Sequence, residues 1–330
     1  MRQLLEDLRP LVDAEGPFLT LLLPAPSHHA DAAERFSIRC RNALKEIGSD
    51  WPPDDLAALE AELMDLPHDA GASVIVLRSS DGTTHTEFID DRVEASVSNG
   101  SYPRLAPLIE SRQRTIAHLV IEADKAGASL MAFDGGDVLA SEIVEGETEH
   151  IHRGHPGGWS QRRFQQRAEN TWGENADDVA DAASDLADRV HARLIAVAGP
   201  ARARSMVTDA VRERVRAEQC RVEAIEAGDV DGIAEEVTRL TADLAATDTV
   251  ELIQAAKESM ATTDDFDGDV LAALTAGRVE TLLVHDDGDA TMDDRTVDRA
   301  INSALTTGAA VRVVPKVAAL HDGLAAVLRW

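Results

Sequence analysis

The order of strand-like and helix-like runs in the middle of the chain constrains the fold more than any other feature. Three strand-like runs come first, at 115–121, 128–133 and 138–144, and Asp134-Gly135-Gly136-Asp137 supplies a hairpin turn between the last two. A polar segment leads to Gly157-Gly158 and then to a long helical stretch from about 161 to 191. A strand at 193–198 ending at Gly199-Pro200, a helix at 203–217 and a strand at 220–225 complete the series. Strands and helices in this order form α/β layers, with the helices covering the faces of one sheet.

The flanks read the same way. Residues 1–110 open with an amphipathic helix through Leu4, Leu5, Leu8, Leu11 and Val12. A buried strand at 18–23 stops at Pro24, and a helix at 29–48 carries Phe36, Cys40 and Leu44 on one face. Leu56, Leu59, Leu63 and Leu66 mark another helix, opened by Pro52-Pro53-Asp54-Asp55. Strands follow at 73–77, 84–89 and 93–97, with Asp81-Gly82 as a turn, and Pro103 and Pro107 punctuate a boundary near 110. After residue 228 come a helix through Ile233, Val237, Leu240 and Leu244, a second helix at 250–260, an acidic turn at 264–269 and a third helix. Strands at 281–284 and 310–314 bracket a helix at 294–305, the pattern of an α/β/α sandwich. The expectation is an α/β protein of three domains, 1–110, 111–228 and 229–330, without internal repeats.

Composition narrows the function. A chain of 330 residues that is 44% hydrophobic and 28% charged can bury several cores. No apolar run approaches the ~18–20 residues of a membrane span, and the first residues carry acids where a signal peptide carries bases. Two cysteines, Cys40 and Cys220, make neither a disulfide framework nor a cysteine-rich zinc site and are expected as small buried residues. The expected location is the cytoplasm. A net charge of −28 repels phosphates, so any contact with nucleic acid needs a local exception. Only Lys45, Lys125, Lys257 and Lys316 among the 32 basic residues are lysine, which suits a GC-rich genome or a salt-adapted host.

One segment supplies the exception. Residues 150–168 contain Arg153, Arg162, Arg163 and Arg167, three histidines including His155, and no acid. Gly157 and Gly158 allow backbone conformations and close approaches closed to other residues, and Trp159 beside them offers a stacking surface. Arg162, Arg163 and Arg167 open the following helix, where cations oppose the helix dipole, and an anionic partner offsets that cost.

Gly157-Gly158-Trp159-Ser160-Gln161-Arg162-Arg163-Phe164 resembles the Gly-Gly-Gln loop and following Arg-Phe helix of the eukaryotic/archaeal release factor and Pelota superfamily, closest to its bacterial branch of Vms1-like and Balon-type proteins. Residues 272–284, Ala-Ala-Leu-Thr-Ala-Gly-Arg-Val-Glu-Thr-Leu-Leu-Val, resemble the family's "ALxxGxVExLLV" segment, and 323–330 resemble its "GIAAILRY" close. The resemblance implies a ribonuclease-H-like central domain carrying the loop and an L7Ae-like C-terminal domain. It also implies a ribosome partner, with the loop near the peptidyl-transferase centre in contact with rRNA and the tRNA acceptor end; a translation GTPase is a further candidate partner. Arg153, His155, Gly157, Gly158, Trp159, Arg162, Arg163 and Arg167 are the RNA-binding candidates.

The sequence also departs from the family. Trp159 and Ser160 stand between the glycines and Gln161, and a displacement of about 1 Å already costs ~100-fold in a reaction that depends on positioning. No Asn-Ile-Lys-Ser motif occurs in the first 110 residues, so stop-codon reading is not expected. The leading expectation is a non-decoding ribosome-binding factor for hibernation, stalling or stress. The alternative is a peptidyl-tRNA hydrolase or tRNA-cleaving factor in which Gln161, aided by Ser160, positions the nucleophile. A third reading docks the basic loop on an acidic protein. Elsewhere, Asp264–Asp269 lacks the spacing and twelfth-position glutamate of a calcium loop, 285–289 reads as a turn, and His28-His29 lacks a second cluster to complete a ligand set, while the alternate-spaced His150, His152 and His155 read as RNA-facing groups ahead of metal ligands. Arg202, Arg204, Arg212, Arg214 and Arg216 read as a solvated helix face partly neutralised by Asp209, Glu213 and Glu218, or as a secondary rRNA contact. No cofactor or metal is expected.

Overall fold

The protein was analysed as a computed structural model, which describes residues 2–26, 32–47, 51–67, 70–124, 126–134, 137–146, 159–217, 219–262, 269–285, 294–315 and 323–329. The chain forms two compact units, Arg114–Thr247 and the combination of Met1–Gln113 with Asp248–Trp330.

In the first of these units three strands, β5 (His118–Ala123), β6 (Gly127–Asp134) and β7 (Asp137–Glu145), are followed by α5 (Trp159–Val190), β8 (Leu194–Ala198), α6 (Ala201–Arg214) and β9 (Arg221–Ala224). The sheet order is β7-β6-β5-β8-β9; β5, β6 and β7 are antiparallel, while β8 and β9 run parallel to β5. Alternation sorts the side chains. Leu119, Ile121, Leu130, Ile195 and Val197 face α5 and α6, while Val120, Leu194, Ala196 and Ala198 face Ile233, Val237 and Leu240. Ala176, Val179, Ala180, Ala183 and Ala187 recur at helical spacing on α5 and bring it close to the sheet. Gly199 closes β8 with φ 121°, where a Cβ would collide with the carbonyl oxygen of Ala123.

The other unit holds a four-stranded antiparallel sheet, β3-β2-β1-β4, built from β1 (Phe18–Pro24), β2 (Ser73–Ser79), β3 (Thr84–Ile89) and β4 (Ser96–Gly100). Leu19, Leu21, Leu23, Val74 and Val76 pack on α2 (Ala32–Glu46) and α3 (Pro53–Met64). The β2–β3 turn uses Asp81-Gly82, with Gly82 at φ 93°; hydrogen bonds from Ser79 and then Thr83 hold the Asp81 carboxyl down to about 2. The first residues form a 3-10 helix, Arg2–Leu8, and a short α1 (Arg9–Val12), where the periodicity predicts one α-helix. The strand expected at 93–97 begins instead at Ser96, and the Val93 amide bonds to Ser73 Oγ at 3.1 Å.

The C-terminal part has the parallel pair β10 (Val279–Val284) and β11 (Ala310–Val313), with β12 (Leu324–Leu328) antiparallel to β10. Leu282 and Val284 pack with α8 (Val270–Thr275) and α9 (Asp294–Thr306), and Leu283 faces Ala256 of α7 (Val230–Thr262). Helices therefore cover both faces of the sheet. The two helices expected at 233–244 and 250–260 are one continuous helix, α7. Within this unit the N- and C-terminal segments share one core, with Leu8, Leu11, Leu105 and Leu108 clustering with Ile301 and Leu328. The Gln113 amide of α4 (Ala106–Arg114) pairs twice with Val313: its Nε2 donates to the carbonyl at 2.6 Å and its Oε1 accepts from the amide at 2.9 Å.

Candidate functional site

The cationic segment connects β7 to α5, and both of its anchors are defined. At the β7 end, the Gly146 amide donates to the Ala126 carbonyl at 2.5 Å, and a Cβ on Gly146 would strike the buried Asn175 side chain of α5. The exit from the strand is thereby pinned beside the middle of the helix. At the other end α5 starts at Trp159, directly after Gly158, and no acid stands in its first turn. An α-helix N-terminus presents unpaired amides and positive dipole charge.

Arg153, His155, Gly157 and Gly158 lie outside the described residues, as do His28, His29, His150 and His152. Trp159, Ser160, Gln161, Arg162, Arg163 and Arg167 occupy the first turns of α5, where the backbone alone is described. Gln161 therefore stands on helical backbone.

The rest of α5 is held firmly. Arg214 of α6 donates to Asp177 at 3.0 Å and also to Asp181, both on α5. The Arg202 guanidinium lies 4.7 Å from the Trp172 ring centroid. Arg204 donates to the Ile225 carbonyl at 3.1 Å and to Glu226 at 3.3 Å, and Arg212 donates to the Val222 carbonyl at 2.9 Å. Arg204, Arg212 and Arg214 are thus engaged within their own unit. The acids that neutralise Arg204 and Arg214 are Glu226, Asp177 and Asp181, distant in sequence from the Asp209, Glu213 and Glu218 suggested by proximity along the helix.

Asp269 is the N-cap of α8, accepting from the Ala272 amide at 3.0 Å; 263–268 and 286–293 lie outside the described residues. His285 Nδ1 is 3.1 Å from the Val314 carbonyl. Among the described residues, Asp7, His85 and Glu87 bring one ligand atom each within 4.8 Å of one another. The Arg112 guanidinium sits among them and bonds to both carboxylates, which gives the cluster its cation. Sequence reading missed this group, although His85 and Glu87 alternate on β3 and so share one face.

A cleft of about 700 Å³ opens at the ends of β5 and β8, lined by Glu122, Asp124, Glu145 and Glu226 together with Ile143 and Ile233. Open α/β sheets bind ligands at the carboxyl ends of their strands. No sequence motif marks it, because its lining comes from four separate segments.

Residues 117–262 match the family described as bacterial archaeo-eukaryotic release factor family 2. This span contains the whole β5–β9 sheet, the cationic segment and α7. Over this span the chain is similar to the bacterial branch of the release factor/Pelota superfamily. An uncharacterized protein of Mycobacterium tuberculosis strain H37Rv is 26% identical to this chain over 301 residues, covering 87% of it and 79% of the relative. The crystal structure of the archaeal translation termination factor aRF1 is 19% identical and covers 100% of this chain and 98% of its own, with a TM-score of 0.26. A model of ribosome-bound archaeal Pelota and ABCE1 is 15% identical, with coverage of 99% and 94% and a TM-score of 0.45. Neither superposition is close enough to define a shared fold. Among the described residues, no helix is long and apolar enough to cross a membrane.

Proposed function

We propose that this protein is a ribosome-associated translation factor that binds without reading a codon and places the basic segment 153–167 against rRNA or the tRNA acceptor end. The match of residues 117–262 to a release factor family carries the reading, because that span includes the chain's most cationic run. Arginine suits such contacts: its planar guanidinium pairs with phosphate through two hydrogen bonds and stacks on bases. The order β7-β6-β5-β8-β9, with an antiparallel half and a parallel half, supports a ribonuclease-H-like reading of the central domain. The helix-covered sheet β11-β10-β12 supports an L7Ae-like reading of the C-terminal domain. The domain limits 110 and 228, a cytoplasmic location, a translation GTPase as co-factor in loading, and a role in hibernation, stalling or stress belong to the same proposal.

Hydrolysis takes second place. Two residues separate Gly158 from Gln161, and Gln161 stands on helical backbone.

Cosedimentation with 70S ribosomes at about 50 and 200 mM salt tests the reading. The wild type is expected to pellet at low salt and to dissociate as salt rises, and Arg162→Glu with Arg163→Glu is expected to abolish pelleting. Absence of wild-type binding at low salt would overturn it.

A further inference from the structure

We infer that the open edge of β7, with the cleft at its C-terminal end, docks an extended, lysine- or arginine-bearing segment of a protein partner. The inference is independent of ribosome binding through the basic segment.

β7 is the outer strand of its sheet and pairs with β6 alone among the described residues. Its other edge therefore presents backbone donors and acceptors along nine residues, Asp137–Glu145. Edge strands are commonly protected by lysine, proline or shortness; β7 contains neither residue and is the longest strand of the sheet. It also carries an uncommon apolar exposure. Val138, Leu139 and Ile143 are 59%, 50% and 75% exposed and make up three of the seven large apolar residues exposed among those described. Exposed apolar side chains on an unpaired edge are the elements that strand addition uses: main-chain bonds supply attraction, and alternate side chains supply selectivity.

Charge selects the occupant. Asp137 and Glu145 lie on the strand itself, beside Glu142, which pairs with Arg189 at 3.5 Å, and the cleft begins where the strand ends, lined by Ile143, Val144 and Glu145 on one side and Glu122 and Asp124 on the other. Among the described residues, Glu122 and Glu145 have no ion-pair partner. Nucleic acid is disfavoured here because its phosphates would meet carboxylates. A second copy is disfavoured for the same reason, since two-fold antiparallel pairing about Ser141 would set Asp137 opposite Glu145 at both ends. A basic extended segment removes both conflicts. Its backbone pairs with β7, its apolar side chains cover Leu139 and Ile143, and a cationic side chain enters the acidic cleft.

The test uses the full chain and fluorescent eight-residue peptides read by anisotropy. A lysine–valine alternating peptide is expected to bind, and a glutamate–valine peptide of the same length is not. The lysine–valine peptide methylated on all its backbone amides keeps its charge but donates no main-chain hydrogen bond, and is expected to bind at least about tenfold more weakly. Ile143→Lys and Glu145→Lys, checked for an unchanged fold by circular dichroism, are each expected to weaken binding by about tenfold. Failure of the lysine–valine peptide to bind overturns the inference, as does equal binding of the methylated peptide or indifference to Ile143→Lys. A wild-type dimer in sedimentation that Ile143→Lys converts to monomer also overturns it, because the occupant is then a second copy.

Discussion

Arg112 and Glu87 pair side-on: the Arg112 Nε donates to the two carboxylate oxygens of Glu87 at 2.9 and 3.1 Å. The Nη atoms of the same guanidinium hold Asp7 at 2.8 and 2.6 Å. One side chain of α4 thus ties the N-terminal 3-10 helix to β3. Burial raises the Glu87 carboxyl, but hydrogen bonds from His85 and Arg112 outweigh it and hold the group below its ordinary value. The hydrogen bond from Arg112 is the main cause of the lowered Asp7 carboxyl.

Arg112→Gln is expected to cost about 1–2 kcal/mol, because it leaves the partly buried Glu87 carboxylate facing the more exposed Asp7 without a guanidinium between them. Depressed folded values mean that the unfolded chain binds more protons in acid. The stabilisation is therefore complete above the ordinary values of 4.5 and 3.8 and is lost as pH falls through the lower folded values. Urea unfolding between about pH 3 and 7 should show a flatter acid limb in the variant.

Two glycine substitutions should move stability in opposite directions. Gly199→Ala forces a side chain into φ 121° and against the Ala123 carbonyl, and is expected to cost about 2–4 kcal/mol. Gly173→Ala lies inside α5, where an added Cβ meets nothing within 4 Å, and should stabilise by about 0.5–1 kcal/mol. Thermal unfolding of the pair checks both signs.

Gln161→Ala separates binding from catalysis. The binding reading expects unchanged ribosome cosedimentation and no release of peptidyl-tRNA ester by either protein. Ester release by the wild type that the variant lacks would install hydrolysis as the function.

Both thiols should resist modification. Burial pushes Cys40 up to about 11 and Cys220 up to about 12, so little thiolate forms at neutral pH. A disulfide reagent at about pH 8 is expected to label neither until denaturant is added.

Much of this architecture was legible in the sequence because periodicity and breakers agreed. The strand read at 84–89 is observed as Thr84–Ile89, and the helix read at 161–191 as Trp159–Val190. Errors arose where local chemistry pointed away from the context. Pro107 looked like a breaker, yet it lies at the start of α4, where a missing amide hydrogen costs nothing. Residues 247–249 fell between two helices read separately, but Thr247 Oγ1 bonds to the Asp243 carbonyl one turn back, and α7 continues. At the candidate site, the cationic run was visible as composition. The Arg112 cluster and the acidic cleft were not, because each is assembled from residues far apart in sequence.

The paired hydrogen bonds between Gln113 and Val313 have a practical consequence for dissecting this chain. A side-chain amide has the same donor and acceptor spacing as a peptide unit, so Gln113 stands in for a missing neighbour on the outer strand β11. A fragment beginning at residue 229 would lack that cover and would uncover the apolar surface that Leu8, Leu11 and Leu108 close. Such a fragment would expose a fresh strand to its neighbours in the test tube and precipitate, whereas co-expression with residues 1–113 should keep it dissolved.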